Sequence, residues 1–156
     1  MQRARLPNGH EMDMEIVRHP GGAAVVAFDE QQRICLLRHY RWVVDEWLWE
    51  LPAGKLDKGE QPLTTAQREL QEEAGMLAGQ WRDLGWVLSS PGVFTERVYL
   101  YLATELTQVN SNSEIGEVFE VHWIPAEEAL QWAIQGQLVD AKTIIGIIRA
   151  NSVLRS

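Results

Sequence analysis

The sequence predicts a single α/β domain in which helices cover the faces of a β-sheet. Apolar stretches with strand character alternate along the chain with helical stretches, and this arrangement is typical of a sheet covered by helices. The chain of 156 residues is long enough to bury one substantial core, and it contains no repeat, low-complexity tract or linker. We therefore expect residues 1–156 to form one domain.

The N-terminal segment, residues 1–20, is predicted to contain a β-hairpin. Asn8-Gly9 is a strong two-residue turn signal. The flanking residues 3–6 and 11–18 are therefore expected to pair.

A second, better buried hairpin is predicted from two apolar runs. Residues 21–28 and 33–40 flank a polar tetrapeptide, which is typical of two strands joined by a turn. Residues 47–51 form a further short strand that is predicted to end at Pro52-Ala53-Gly54.

The second half of the chain is predicted to contain helices between strands. The first helix spans about residues 62–74, because Pro62 suits a first helical position and Gly75 suits the end of a helix. Two more helices are predicted at 126–135 and, after the capping residue Asp140, at 141–153. The remaining predicted strands are residues 80–89, 97–106 and 117–124.

The composition excludes several classes of function. The chain has 22 Asp and Glu against 14 Lys and Arg, for a net charge of −8, which disfavours nucleic-acid binding because phosphates must be neutralised by basic side chains. It has no apolar segment approaching the ~20 residues of a membrane helix and no signal peptide. Cys35 is the only cysteine and is expected to be buried. We expect a soluble cytoplasmic protein with no membrane partner.

Carboxylates are concentrated on the first predicted helix. Glu69, Glu72 and Glu73 lie within one turn of each other, and like charges at this spacing destabilise a helix. Arg68 lies four residues before Glu72 and can pair with it, whereas Glu69 and Glu73 have no obvious cationic partner in the sequence. The apolar side chains that should pack on the sheet are Leu63, Ala66, Leu70 and Ala74.

Two interpretations of this carboxylate cluster are open. It is either a solvated acidic helix face or a metal site. The preceding loop favours a metal site, because Gly54 permits a tight turn with an outward-facing carbonyl and Glu60 adds a carboxylate nearby. Oxygen ligands of this kind suit Mg²⁺ or Mn²⁺, which keep waters and bridge substrate phosphates.

The stretch 54–76 resembles the signature of the Nudix hydrolase family. That signature is a Gly, five residues, Glu, seven residues, and then Arg-Glu-apolar-any-Glu-Glu-any-Gly-apolar. Nine positions match at every spacing: Gly54, Glu60, Arg68, Glu69, Leu70, Glu72, Glu73, Gly75 and Met76. The resemblance implies an α/β/α sandwich around a mixed sheet, and hydrolysis of a nucleoside diphosphate linked to another group.

The resemblance also implies roles for individual residues. The metal would be Mg²⁺, with Mn²⁺ as an alternative, and two or more ions would be present with substrate bound. Its ligands would be the Ala53 carbonyl, Glu69, Glu72 and Glu73, with Glu72 also a catalytic candidate. The signature residues with structural roles would be Gly54, Glu60, Arg68 and Gly75.

The flanking sequences RHPGGAAVVAF, LLRHYR and LWELPAGKLDKGE look like the ADP-ribose pyrophosphatase branch of the family. So does Pro91, sixteen residues after Gly75. The implied reaction is Mg²⁺-dependent hydrolysis of ADP-ribose to AMP and ribose 5-phosphate. The alternatives are hydrolysis of other nucleotide-sugars of the GDP-mannose type, or a non-catalytic Nudix domain that binds nucleotide-sugars.

Catalytic and substrate-binding candidates lie outside the signature. A general base is expected on the loop before the strand at 117–124, with Glu117 as the first candidate and Glu114 as the second. Arg41 matches an arginine that the family uses near the substrate, and Glu50 is the other substrate-binding candidate. The four histidines show no metal-ligand spacing and are interpreted as structural.

The N-terminal portion differs from the resembled branch. Members often carry a longer portion whose extra strands exchange between subunits, whereas about twenty residues precede the first predicted core strand here. We expect a homodimer, and leave open whether strands exchange within it.

Overall fold

The computed structural model describes residues 1–112 and 115–156 and confirms the predicted α/β class. Within these residues the chain forms nine strands and three helices. The strands are β1 (Gln2–Arg5), β2 (Glu11–Met14), β3 (Gly22–Ala27), β4 (Arg33–Arg41), β5 (Glu46–Glu50), β6 (Ala53–Lys55), β7 (Met76–Leu88), β8 (Arg97–Gln108) and β9 (Phe119–Pro125). The helices are α1 (Pro62–Ala74), α2 (Ala126–Gln135) and α3 (Ala141–Leu154).

The strands form three sheets. A four-stranded mixed sheet has the order β6-β3-β8-β7, in which β3 and β8 are parallel and the other pairs are antiparallel. An antiparallel sheet has the order β5-β4-β9, and β1 pairs only with β2 in a separate hairpin. The predicted N-terminal hairpin is therefore present, but its second strand pairs only over Glu11–Met14, and its turn comprises residues 7–9 and not Asn8-Gly9 alone.

Helices cover both faces of the mixed sheet, as an α/β/α sandwich requires. Strand β3 is buried along its whole length, and its side chains alternate between two apolar clusters. Ala24 and Val26 belong to a cluster that includes Ile147 of α3. Val25 belongs to a second cluster that includes Leu70 of α1. The complete burial of β3 thus places α1 and α3 on opposite sides of the sheet.

The predicted hairpin between residues 21–28 and 33–40 is wrong. Strands β3 and β4 lie in different sheets and are joined by a single bridge between Phe28 and Ile34. The reason is that β6 and β8 already occupy both edges of β3. Strand β4 therefore pairs with β5 and β9 instead.

The predicted break at Pro52-Ala53-Gly54 is only partly correct. Strand β5 ends at Glu50, but the chain then re-enters the mixed sheet as β6, with Gly54 opposite Ala23. This pairing holds the backbone of β6 beside the N-terminal half of β3, close to α1.

The predicted helices agree closely with the observed ones. Helix α1 has Pro62 in its first turn and ends at Gly75, which adopts the left-handed conformation with φ of 64°. Helix α2 ends at Gly136, and Asp140 caps α3 by accepting from the Thr143 amide. In the described part of the chain, no helix combines the length and apolar character needed to cross a bilayer.

Candidate functional site

A cavity of about 610 Å³ lies where the two larger sheets meet α1 and α3. Its walls come from separate parts of the chain, including the end of β4, strand β6, the carboxylate face of α1, the segment before β9 and the first turn of α3. The predicted site residues that line it are Arg41, Ala53, Gly54, Arg68, Glu69, Glu72 and Glu117. The fold thus brings together residues that are far apart in sequence.

The predicted apolar stripe of α1 is only partly correct. Ala66 and Leu70 are buried against the sheet, but Leu63 is exposed. The buried face of the helix includes Glu69 and Glu73 instead. The burial of two carboxylates costs free energy, because burial disfavours the charged form. Their burial is therefore more typical of a functional site than of an ordinary helix face.

Burial makes the carboxyl groups of Glu69 and Glu73 weaker acids than usual. Glu73 is 2% exposed and accepts a hydrogen bond of 2.8 Å from the Ala53 amide. Its burial, with the nearby charges of Glu69 and Glu117, raises its pKa to about 9. Burial likewise raises the pKa of Glu69 to about 7, although the Arg68 guanidinium opposes this shift. A cation bound nearby would therefore stabilise the ionised form of both side chains.

Arg68 is the cation that organises the rest of the cluster. It contacts Glu69 at 2.8 Å and Glu72 at 3.3 Å, so the expectation that Glu69 lacks a cationic partner is wrong. It also donates to both oxygens of Glu60. Hydrogen bonds from Arg68 and Thr65 lower the pKa of Glu60 to about 2. Glu60 thus stays ionised and anchors the loop before α1.

Gly54 makes room for the Glu69 carboxylate. A Cβ atom at position 54 would lie 1.7 Å from Glu69 Oε1, so the Glu69 carboxylate would have to move if position 54 carried a side chain. The absence of a side chain on Gly54 therefore lets the carboxylate lie against the backbone of β6.

We expect Gly54→Ala to reduce turnover by about 10²-fold, the loss that a misplacement of about 1 Å at a reacting centre can cause. The added methyl group would push Glu69 away from β6. Steady-state kinetics and a metal titration would measure the loss, with Gly92→Ala as the matched control because a Cβ at position 92 meets open space. Unchanged turnover and metal affinity in Gly54→Ala would contradict the importance of this contact.

Arg41 and Glu50 form a pair at the ends of β4 and β5. The Arg41 guanidinium lines the cavity and donates to Glu50 through Nε at 2.8 Å and through Nη2 at 3.2 Å. Glu50 is 3% exposed and lies behind Arg41. Its predicted contact with substrate stays a prediction, whereas its contact with Arg41 is direct.

The general-base candidates fall on the segment before β9. Glu117 lines the cavity, and its charge contributes to the raised pKa of both Glu69 and Glu73. It is therefore close to the carboxylate cluster, and its catalytic role stays a prediction. The second candidate, Glu114, lies outside the described residues.

Several residues of the cavity wall were not predicted from the sequence to be functional. His39, interpreted from the sequence as structural, lies in the wall, with Nδ1 3.4 Å from Glu50 Oε2. His19 and Glu96 face each other at 3.2 Å elsewhere in the wall. Lys142 of α3 also lines the cavity. His19 and His39 lie within flanking stretches that resemble the ADP-ribose pyrophosphatase branch, and that resemblance is the one signal that could have marked them.

The donor set fits a divalent cation with hard-oxygen preference. The candidate ligands are the carbonyl of Ala53 and the carboxylates of Glu69, Glu72 and Glu73, which are the oxygen ligands that Mg²⁺ and Mn²⁺ prefer. Within residues 1–112 and 115–156, no three acidic, His or Cys side chains already converge as a metal-binding cluster. Arg68 contacts one oxygen of Glu69 and one oxygen of Glu72, and the role of these carboxylates as metal ligands stays a prediction.

The sequence model of the NUDIX domain matches residues 18–144, more than half of the chain. The chain belongs to the Nudix family. The match includes every signature residue and extends through β9 and α2 into α3.

The chain is similar to known proteins and to a solved structure. The methanol dehydrogenase activator of Bacillus methanolicus is 38% identical over 91% of this chain and 78% of its own length. The ADP-ribose pyrophosphatase of Bacillus subtilis (strain 168) is 37% identical over 94% of this chain and 80% of its own. A crystal structure of an ADP compounds hydrolase superposes with a TM-score of 0.83 at 19% identity, covering 98% of this chain and 83% of that one. The last likeness confirms the expected fold.

Proposed function

We propose that this Nudix protein is a metal-dependent hydrolase that cleaves the diphosphate of ADP-ribose to give AMP and ribose 5-phosphate. The observation that carries the proposal is that one cavity is lined by Glu69, Glu72, Arg41 and Glu117, with the buried Glu73 carboxylate close enough to Glu69 and Glu117 for their charges to raise its pKa. The similarity to an ADP-ribose pyrophosphatase along nearly the whole chain supports the choice of substrate.

The cavity has groups suited to each part of this reaction. A Mg²⁺ or Mn²⁺ cluster, with two or more ions when substrate is bound, would polarise the phosphoryl oxygens and help to activate the attacking water. Arg41 would bind diphosphate oxygens, for which a planar guanidinium is well suited. Glu117 would accept a proton from the water that attacks one phosphorus. The P–O bond of the diphosphate bridge then breaks, leaving one phosphate on each product.

The remaining signature residues would keep these groups in place. Glu73 and Glu69 would hold the metal beside β6, with Glu72 and the Ala53 carbonyl completing the ligand set. Arg68 would hold Glu60 and orient the α1 carboxylates, as its hydrogen bonds to Glu60 and Glu69 suggest.

We expect ADP-ribose to have the highest kcat/KM in a panel that also contains GDP-mannose, UDP-glucose, NADH and dinucleoside polyphosphates, assayed with Mg²⁺. The reason is that similarity to the ADP-ribose branch extends beyond the signature into the cavity walls. A clear preference for GDP-mannose or another nucleotide-sugar would show that the proposed substrate is wrong, but it would remain consistent with the proposed hydrolysis of a nucleoside diphosphate derivative. Binding of nucleotide-sugars without any hydrolysis would instead favour the non-catalytic alternative.

We further propose that the chain acts in the cytoplasm and forms a homodimer, the latter because the resemblance to the ADP-ribose branch implies one. The turn between β4 and β5 supports an association surface, because its side chains Trp42 and Val43 are 81% and 95% exposed. Exposed apolar side chains that are adjacent on a surface often mark contacts with another protein.

A further inference from the structure

Four charged side chains form a continuous chain of contacts along one wall of the cavity, which Arg41, Asp140 and Lys142 line. Arg41 donates to Glu50 at 2.8 Å, and Glu50 accepts from Lys142 at 2.9 Å. Lys142 also donates to both oxygens of Asp140, at 3.0 and 3.1 Å. The ion pairs therefore connect the N-terminus of α3 to the arginine that faces the cavity.

The ammonium group of Lys142 donates all its hydrogen bonds in the described part of the structure to the carboxylates of Glu50 and Asp140. An ammonium group has three donors, and Lys142 contacts three carboxylate oxygens, one on Glu50 and two on Asp140. Its side chain is 18% exposed, and that of Glu50 is 4% exposed. This geometry suits a residue that holds its neighbours in place.

The first turn of α3 is fixed against the end of β5 by contacts other than the ion pairs. Thr143 Oγ1 accepts a hydrogen bond from the Leu51 amide at 3.0 Å and donates to Asp140 at 2.5 Å. A Cβ atom at Gly146 would lie 2.7 Å from Leu51 Cδ1, so the glycine permits the close approach of the helix. The position of Lys142 relative to Glu50 is thus set by the backbone of two elements.

Burial does not neutralise these groups. Burial alone would raise the pKa of Glu50, but the Lys142 ammonium and the Arg41 guanidinium hold it below its ordinary value. Burial would lower the pKa of Lys142, but Asp140 and Glu50 hold it above its ordinary value. Without Lys142, the two carboxylates would face Arg41 with only one positive charge to offset them.

We propose that Lys142 is a positioning residue for diphosphate binding. It fixes the Glu50 carboxylate that orients Arg41, and it offsets the negative charge behind Arg41 so that the guanidinium attracts an anionic substrate. This inference rests on the proposed function, because the diphosphate is the group that Arg41 would bind.

The kinetic test compares Lys142→Met with Lys142→Arg and with Lys58→Met, which makes the same change at an exposed lysine outside the cavity wall. We expect Lys142→Met to raise KM and the calorimetric Kd for ADP-ribose by about tenfold while kcat changes little, because loss of one partner of a buried charge pair weakens binding. Lys142→Arg should recover much of the affinity, and Lys58→Met should resemble the unaltered protein. An unchanged KM and Kd in Lys142→Met would overturn the proposal. If Lys142→Met does not fold, Lys142→Gln takes its place.

A double-mutant cycle distinguishes positioning from a general structural role. If Lys142 acts through Arg41, Lys142→Met should have little further effect on KM in an Arg41→Met background. Equal effects in both backgrounds would show that Lys142 acts independently of Arg41 and would overturn the proposal. A general loss of stability would instead lower the melting temperature equally in both backgrounds.

A measurement without substrate separates this inference from the proposed function. The Arg41 Nε–H resonance, assigned by its loss in Arg41→Lys, should exchange with water about tenfold faster in Lys142→Met than in the unaltered protein, because Glu50 is then less fixed. No change in that resonance would overturn the positioning role. If the resonance responds but the unaltered protein neither binds nor hydrolyses any nucleotide of the panel, the proposed function fails and the positioning of Arg41 stands.

Discussion

Glu73→Gln should reduce kcat by at least about 10²-fold while the fold persists. Substitution of groups that only support a metal ligand costs about 10–100-fold in affinity or activity, and Glu73 is proposed as a ligand itself. The amide keeps the size of the side chain and can still accept the hydrogen bond from the Ala53 amide, which is 2.8 Å long in the unaltered protein. Only the charge that would bind the cation is lost.

The same substitution should stabilise the metal-free protein above neutral pH. Folding raises the pKa of Glu73 from 4.5 to about 9, so the folded protein binds more protons than the unfolded chain between these values. Its free energy of unfolding therefore falls as pH rises through this range. A neutral glutamine removes this contribution, so the melting temperature of Glu73→Gln should fall less steeply with pH.

Thermal melts of both proteins would measure this difference, at about pH 6 and about pH 9, with and without Mg²⁺. Mg²⁺ should raise the melting temperature of the unaltered protein most at the higher pH, because binding to the folded state adds to stability, and should have little effect on Glu73→Gln. Glu30→Gln, at an exposed position in the turn after β3, is the matched control. Near-normal turnover in Glu73→Gln would show that the metal assignment is wrong.

The features that the sequence predicts well depend on local signals. The predicted bounds of helix α1 agree with the observed ones because Pro62 and Gly75 mark its ends within the sequence. The spacing of Glu69, Glu72 and Glu73 places them on adjacent positions of that helix whatever the fold around it. The carboxylate cluster is therefore evident from the amino-acid sequence alone.

The features that the sequence does not predict depend on long-range pairing. The contact between Lys142 and Glu50 joins residues separated by 92 positions, and no local pattern indicates which lysine will be buried. The separation of β3 from β4 has the same cause, since it follows from the pairing of β3 with β8. The burial of Glu73 beneath β6 likewise depends on where the sheet places the Ala53 amide. Tertiary packing decides each of these outcomes.

Glu117→Gln should lower kcat by roughly 10²-fold or more, the contribution of a positioned general base, while KM and metal affinity change little. This split is expected because the substitution removes proton transfer and leaves the binding groups intact. The observations that support this prediction are the position of Glu117 in the cavity wall and the contribution of its charge to the raised pKa of Glu69 and Glu73. The measurements are steady-state kinetics and a Mg²⁺ titration of the melting temperature.

Two matched variants decide what the result means. Glu120→Gln makes the same change on the following strand, at a side chain that is 67% exposed, and should leave kcat unchanged. Glu114→Gln should be milder than Glu117→Gln, and the reverse order would move the role of base to Glu114. A loss of Mg²⁺ affinity in Glu117→Gln would indicate a metal ligand, since a base that acts only on water does not contribute to metal binding. Mild effects in both variants would exclude this segment as the source of the base, and a carboxylate of the α1 cluster would then be one of the remaining candidates.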